Sequence, residues 1–155
     1  MTTSYSGRTV DLLLLQFIPM PTSETQVTPS VISEPRVVSG IEKLVQRYAL
    51  LFLTQLGSVK NRESEGTEFL RLLGTGHIYD ENTLRAYANS ANVNVVSQIR
   101  QEDADMDTAE DEALSKAEIS AIAIDRSTAT VSVTVTITAK SGDSYTYITP
   151  LTTGL

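Results

Sequence analysis

From Thr130 to Thr138 the chain alternates without a break. Val131, Val133, Val135 and Ile137 fall on one side, and Thr130, Ser132, Thr134, Thr136 and Thr138 on the other. A period of two puts successive side chains on opposite faces, so this stretch is a β-strand with one face on a core. Two neighbours extend the pattern. Ile119–Ile124 precedes it across the turn-forming Asp125-Arg126-Ser127-Thr128. Ser144–Thr149 follows across Ser141-Gly142-Asp143, with Tyr145 and Tyr147 on one face. Three strands joined by short polar turns are expected to form an antiparallel meander.

Upstream the period changes to 3.6. Ser39-Gly40-Ile41-Glu42 has the form of a capping box, in which the Ser hydroxyl takes the N3 amide and the Glu reaches back. Ile41, Leu44, Val45, Tyr48, Phe52 and Leu56 then recur at helical spacing, and Leu50, Leu51 and Leu53 widen the stripe. A helix over 39–56 with so broad an apolar face is covered on more than one side. Residues 57–66 are polar and turn-rich, 67–73 form a short helix, and Gly74-Thr75-Gly76 turns the chain past His77. Asp80 caps a third helix over 81–103, where Asn89, Asn92 and Asn94 weaken the pattern and allow a break near Asn92.

Residues 1–38 stand apart. They hold Pro19, Pro21, Pro29 and Pro35, four of the five prolines, around one apolar run, Leu12–Ile18. Proline favours extended backbone, so this is an arm, either packed on its own domain or reaching for a neighbour. The expected architecture is α+β: three helices packed on a C-terminal three-stranded antiparallel meander, with an extended arm over 1–38 and a single domain over 39–155.

At 155 residues the chain is long enough for one real core. It has no Cys and one His, which excludes disulfide scaffolds, thiol nucleophiles and His-rich metal sites. Its net charge of −7 is local. Residues 102–118 carry eight acids (Glu102, Asp103, Asp105, Asp107, Glu110, Asp111, Glu112, Glu118) against Lys116, and the rest of the chain is balanced. A balanced body with one acidic stretch lacks the clustered cations that nucleic acid or an anionic membrane requires. The apolar run at 12–18 is too short to span a bilayer and lacks the flanks of a signal peptide.

The motifs that could carry chemistry are incomplete. Asp103-x-Asp105-x-Asp107 opens like a calcium loop, but Thr108 stands where the turn needs Gly and Leu114 where it needs a bidentate Glu. Gly74-Thr75-Gly76 lacks the rest of any phosphate-binding signature. Glu63, Glu65 and His77 could be assembled into a small hydrolytic or ligand-binding site, although carboxylate pairs are cheap in a chain with 19 acids. No catalytic set, metal site or cofactor is expected. The Thr-rich meander has more promise, because an unblocked strand can add to another chain's sheet.

Two further stretches bear on function. Gly40-Ile41-Glu42-Lys43-Leu44-Val45-Gln46-Arg47-Tyr48 is followed by Leu51-Phe52-Leu53-Thr54-Gln55-Leu56-Gly57-Ser58 and then Gly66-Thr67-Glu68-Phe69. This order resembles the sheath-initiator or baseplate wedge family of contractile phage tails, shared with type VI secretion baseplates and pyocin-like particles. The resemblance spans about 39–149 and includes the terminal strands. It departs where the family often has Glu-Pro-Arg before its last strands and this chain reads Asp111-Glu112-Ala113-Leu114. Glu34-Pro35-Arg36 lies ahead of the first helix and does not inherit that role.

The resemblance implies a structural baseplate protein, six copies per particle, in the virion tail and assembled in the bacterial host cytoplasm. It implies tail sheath protein, baseplate wedge and tail tube or hub proteins as partners, and no nucleic acid or membrane. On this reading Thr130, Ser132, Thr134, Thr136, Thr138, Tyr145 and Tyr147 meet a sheath strand, and Leu12, Leu14 and Phe17 meet the baseplate or tube. Thr134→Pro is then expected to spare the fold and impair sheath nucleation. The competing expectation is an accessory binding module that offers the acidic 102–118 segment to a basic partner.

Overall fold

Strict alternation holds β6 (Thr130–Ala139) at the centre of the molecule, where Val131, Val133, Val135 and Ile137 are all buried. The computed structural model describes residues 11–21, 24–29, 36–75 and 80–153. Among these, the elements are β1 (Asp11–Leu12), β2 (Leu15–Pro19), β3 (Thr25–Pro29), β4 (Val37–Val38), α1 (Gly40–Leu53), α2 (Phe69–Gly74), α3 (Glu81–Asp105), β5 (Leu114–Asp125), β6 and β7 (Ser144–Thr152).

The expected three-stranded meander is overturned. The sheet has five strands in the order β2-β3-β7-β6-β5 and is mixed, and β1 and β4 form a second, two-stranded sheet. The arm supplies the difference. β2 and β3 pair antiparallel, and β3 then runs parallel to β7 through Thr25 opposite Tyr147 and Gln26 opposite Ile148. That parallel ladder is two pairs long and stops before Pro150, which has no N–H to give it. Leu15 and Val27 of the arm lie in the same core as α1, α3 and the meander.

β5 begins at Leu114, not near Ile119, and its phase explains why. Register shifts against β6 fall between Leu114 and Lys116 and between Ile119 and Ala121. Each bulge adds a residue and turns the following side chains to the other face. Leu114, Ala117 and Ile122 are thereby buried and Ile119 and Ile124 half-buried, although no single alternation relates them.

α1 starts without its expected capping box: Ser39 is extended and its side chain makes no capping bond. A distant residue takes that place. The buried Glu112 carboxylate accepts from Gly40 N at 3.1 Å and from Lys43 Nζ at 2.9 Å, putting negative charge at the positive end of the helix. α3 runs unbroken through Asn92. The Asn92 amide donates to Ala117 O (3.1 Å) and accepts from Tyr48 OH (2.7 Å), so it joins helix, helix and strand. Aromatic packing fills the centre, with Phe52 between Tyr48 and Phe69 at 5.9 and 4.9 Å, and Tyr147 edge-on to Tyr48 at 6.4 Å. Burial raises both tyrosine hydroxyls well above their ordinary range, so neither ionises in the working pH range. No helix among the described residues is long and apolar enough to cross a membrane.

Candidate functional site: the free edge of the sheet

A strand can accept another chain only where its own ladder is open. β6 has no such place: it is paired with β5 on one side and β7 on the other along its length. Thr130, Ser132, Thr134, Thr136 and Thr138 therefore sit in an interior strand, with Thr134 opposite both Ala121 and Ile148 and itself buried. Thr134→Pro would break the internal ladder and tests no partner contact. Tyr147 is buried and paired with Val135 and Thr25. Tyr145 is half-buried, edge-on to Phe17 at 5.9 Å, with its hydroxyl 3.2 Å from Thr25 Oγ1.

The sheet ends at β2 and β5. β2 is short and finishes at Pro19. β5 is twelve residues long, and among the described residues no strand lies against its outer side. Its two halves differ. In the first half, α3 side chains occupy the edge: Arg100 donates to Ser115 O at 2.8 Å and Asn92 to Ala117 O at 3.1 Å. Both bulges and Lys116 also lie there, which are devices that discourage edge pairing. The second half, Ala121–Asp125, is regular and has no lysine, and Ala121 and Ala123 are exposed. Beside the first half, α3 and β5 enclose a groove of about 410 Å³ lined by Asn92, Val93, Val96, Arg100, Lys116 and Ala117.

The arm makes a second surface. Gln46, buried in α1, accepts from Leu14 N at 2.7 Å and donates to Leu12 O at 2.8 Å, bonding the arm as a strand would. Leu13 and Leu15 turn inward while Leu12 and Leu14 stay 57% and 49% exposed, with the exposed Val37 opposite Leu12. Of the three arm residues expected to meet a partner, Leu12 and Leu14 are outward. Phe17 packs inside on Tyr145.

Part of the acidic segment is engaged within the chain. Arg47 bridges Glu102 at 2.9 Å and Asp103 at 3.1 Å, Asp103 also accepts from Leu114 N, and Glu112 holds Lys43. Glu118 pairs with Lys116. These contacts tie α1 to the α3–β5 connection, while Asp105, Asp107 and Glu110 stay exposed. Asp103 is engaged by Arg47 and Leu114 N, and among the described residues no three His, Cys, Asp or Glu are grouped to hold a metal. Glu63 is exposed, Glu65 pairs with Arg62 at 2.6 Å, and His77 and Gly76 lie outside the described residues.

The contacts of Asn92, Arg100, Gln46 and Glu112 were not read from sequence, where Asn92 counted only as a weak point in α3. Asn92 left a trace, because it sits one turn from Ala88 on the buried stripe that runs to Val95 and Ile99. Gln46 left only the breadth of α1's covered surface. Comparison of the chain with protein-family models, with curated proteins and with solved structures gives no match.

Proposed function

We propose that the chain is a structural, non-enzymatic protein of a contractile-tail baseplate that starts sheath assembly by strand addition at β5, between Ala121 and Asp125. The observation that carries this reading is the open outer side of a long terminal strand whose second half has no bulge and no lysine. Such an edge presents a row of backbone donors and acceptors that an extended segment of another protein can complete. The resemblance of residues 39–149 to sheath initiators supports the choice of partner. The exposed Leu12, Leu14 and Val37 give the arm an apolar contact for baseplate or tube proteins. In this reading six copies act per particle, in the virion tail, after assembly in the host cytoplasm.

The test is co-expression with the candidate sheath protein, read by negative-stain microscopy. The wild-type chain is expected to seed short sheath-like rings or tubes. Ile124→Lys keeps its aliphatic stem on the half-buried position but puts a charge on the edge strand, and is expected to abolish seeding with the fold intact by circular dichroism. Undiminished seeding by that folded variant would sink the edge role.

A further inference from the structure

The groove lies beside the first half of β5, next to the Ala121–Asp125 stretch proposed for strand addition. α3 packs on β5, and a strand paired at Ala121–Asp125 that continues past Ala117 without pairing there would carry side chains over Val93, Val96 and Arg100. Val93 is 66% exposed, an unusual cost for a helix that buries Leu84, Ala88, Ala91, Val95 and Ile99 on its other side. Two cations, Arg100 and Lys116, line the groove, and no carboxylate is among the lining residues. The arrangement lies in a chain whose net charge is −7.

Arg100 carries the discriminating feature. One of its guanidinium nitrogens donates to Ser115 O, and among the described residues it makes no ion pair. A guanidinium has five N–H donors, so most of its capacity remains for a carboxylate. Lys116 is partly committed, at 2.7 Å from the exposed Glu118. Spacing then sets a pattern. Val96 and Arg100 are one helical turn apart, about 6 Å along α3, and residues i and i+2 of a strand are about 6.6 Å apart on one face.

We infer that this groove selects the strand that adds to β5, favouring one with an aliphatic residue and an Asp or Glu two positions apart. The aliphatic side chain covers Val93 and Val96, and the carboxylate meets Arg100 and Lys116. This rests on the edge-addition reading above and adds the chemistry of the partner.

Two labelled, end-blocked peptides test it: Thr-Val-Thr-Val-Thr-Glu-Thr and the same peptide with Lys in place of Glu. Binding is read by fluorescence anisotropy, and the site by amide hydrogen exchange across residues 114–125. The Glu peptide is expected to bind roughly tenfold tighter than the Lys peptide and to slow exchange in β5. Arg100→Glu with Lys116→Glu is expected to reverse the preference. Lys116→Glu alone, at an exposed side chain that leaves the Arg100–Ser115 bond in place, is expected to reduce it about threefold. Slowed exchange with equal binding of both peptides would overturn the groove's selectivity and leave edge addition standing. No slowing with either peptide would overturn both. Dimerisation of the free chain through β5, seen by sedimentation, would give the groove to a second copy and overturn the proposal.

Discussion

At Gly66 the backbone has φ of +98°, and a Cβ placed there would lie 2.4 Å from Thr54 O. The carbonyl cannot yield, because Thr54 O accepts from Thr67 N at 2.8 Å and the Gln98 amide clasps Gly66 at both N and O. Gly66→Ala is expected to cost about 2–3 kcal/mol in urea unfolding, from backbone strain and the displaced clasp. Gln46→Ala removes one side chain and strands two backbone groups, Leu14 N and Leu12 O. It is expected to cost about 1–3 kcal/mol and to speed hydrogen exchange at Leu14. Neither effect follows from residue type. The glutamines at 46 and 98 read in sequence as ordinary helix residues, because their partners lie 32 to 34 positions away.

At the scale of elements, α3 shows what a cap contributes. Asp80 Oδ1 accepts from Thr83 N at 2.8 Å and Oδ2 from the Thr83 hydroxyl at 2.7 Å. These bonds hold the Asp80 carboxyl below the usual carboxylate range, the side-chain bond most strongly. A carboxyl whose folded pKa lies below its unfolded one stabilises the fold above the unfolded value of about 4, and that contribution fades as pH falls through the folded value. Asp80→Ala is thus expected to melt earlier than wild type at neutral pH, with the gap closing below about pH 4. A gap independent of pH in thermal scans would refute the charged cap. The Asp80 start was legible because a cap and its helix are neighbours in sequence. The start of α1 was legible in position but not in its cap, because Glu112 replaces the Ser39–Glu42 box from 72 residues away.

For the whole molecule the decisive fact is that the arm belongs to the sheet. Leu15 and Val27 are as buried as the valines of β6. Leu15→Ala is expected to cost about 3 kcal/mol and to leave a single cooperative unfolding transition. An arm that merely rested on the domain would lose its own signal early and leave the main transition unmoved. Pairing by the arm also removes β7 from the edge, so the edges of the sheet are β2 and β5. This relocates the candidate site from the Thr-rich strand that first suggests it to a strand whose two bulges hide its period.

Sequence alone determined what depends on near neighbours: the helices expected at 39–56 and 81–103 and found at 40–53 and 81–105, and the central strand. Each is written in a repeat of two or 3.6 residues, or in a cap adjacent to its helix. The tertiary structure decided what depends on distant partners. Those outcomes are the fifth and fourth strands, the Glu112 latch, the Asn92 and Gln46 clasps, and the choice of open edge. A strand's face is fixed by its own alternation, but whether its edge is free depends on which other segment hydrogen-bonds beside it. Here that segment lies more than 100 residues away, in a proline-rich arm with no period to announce it.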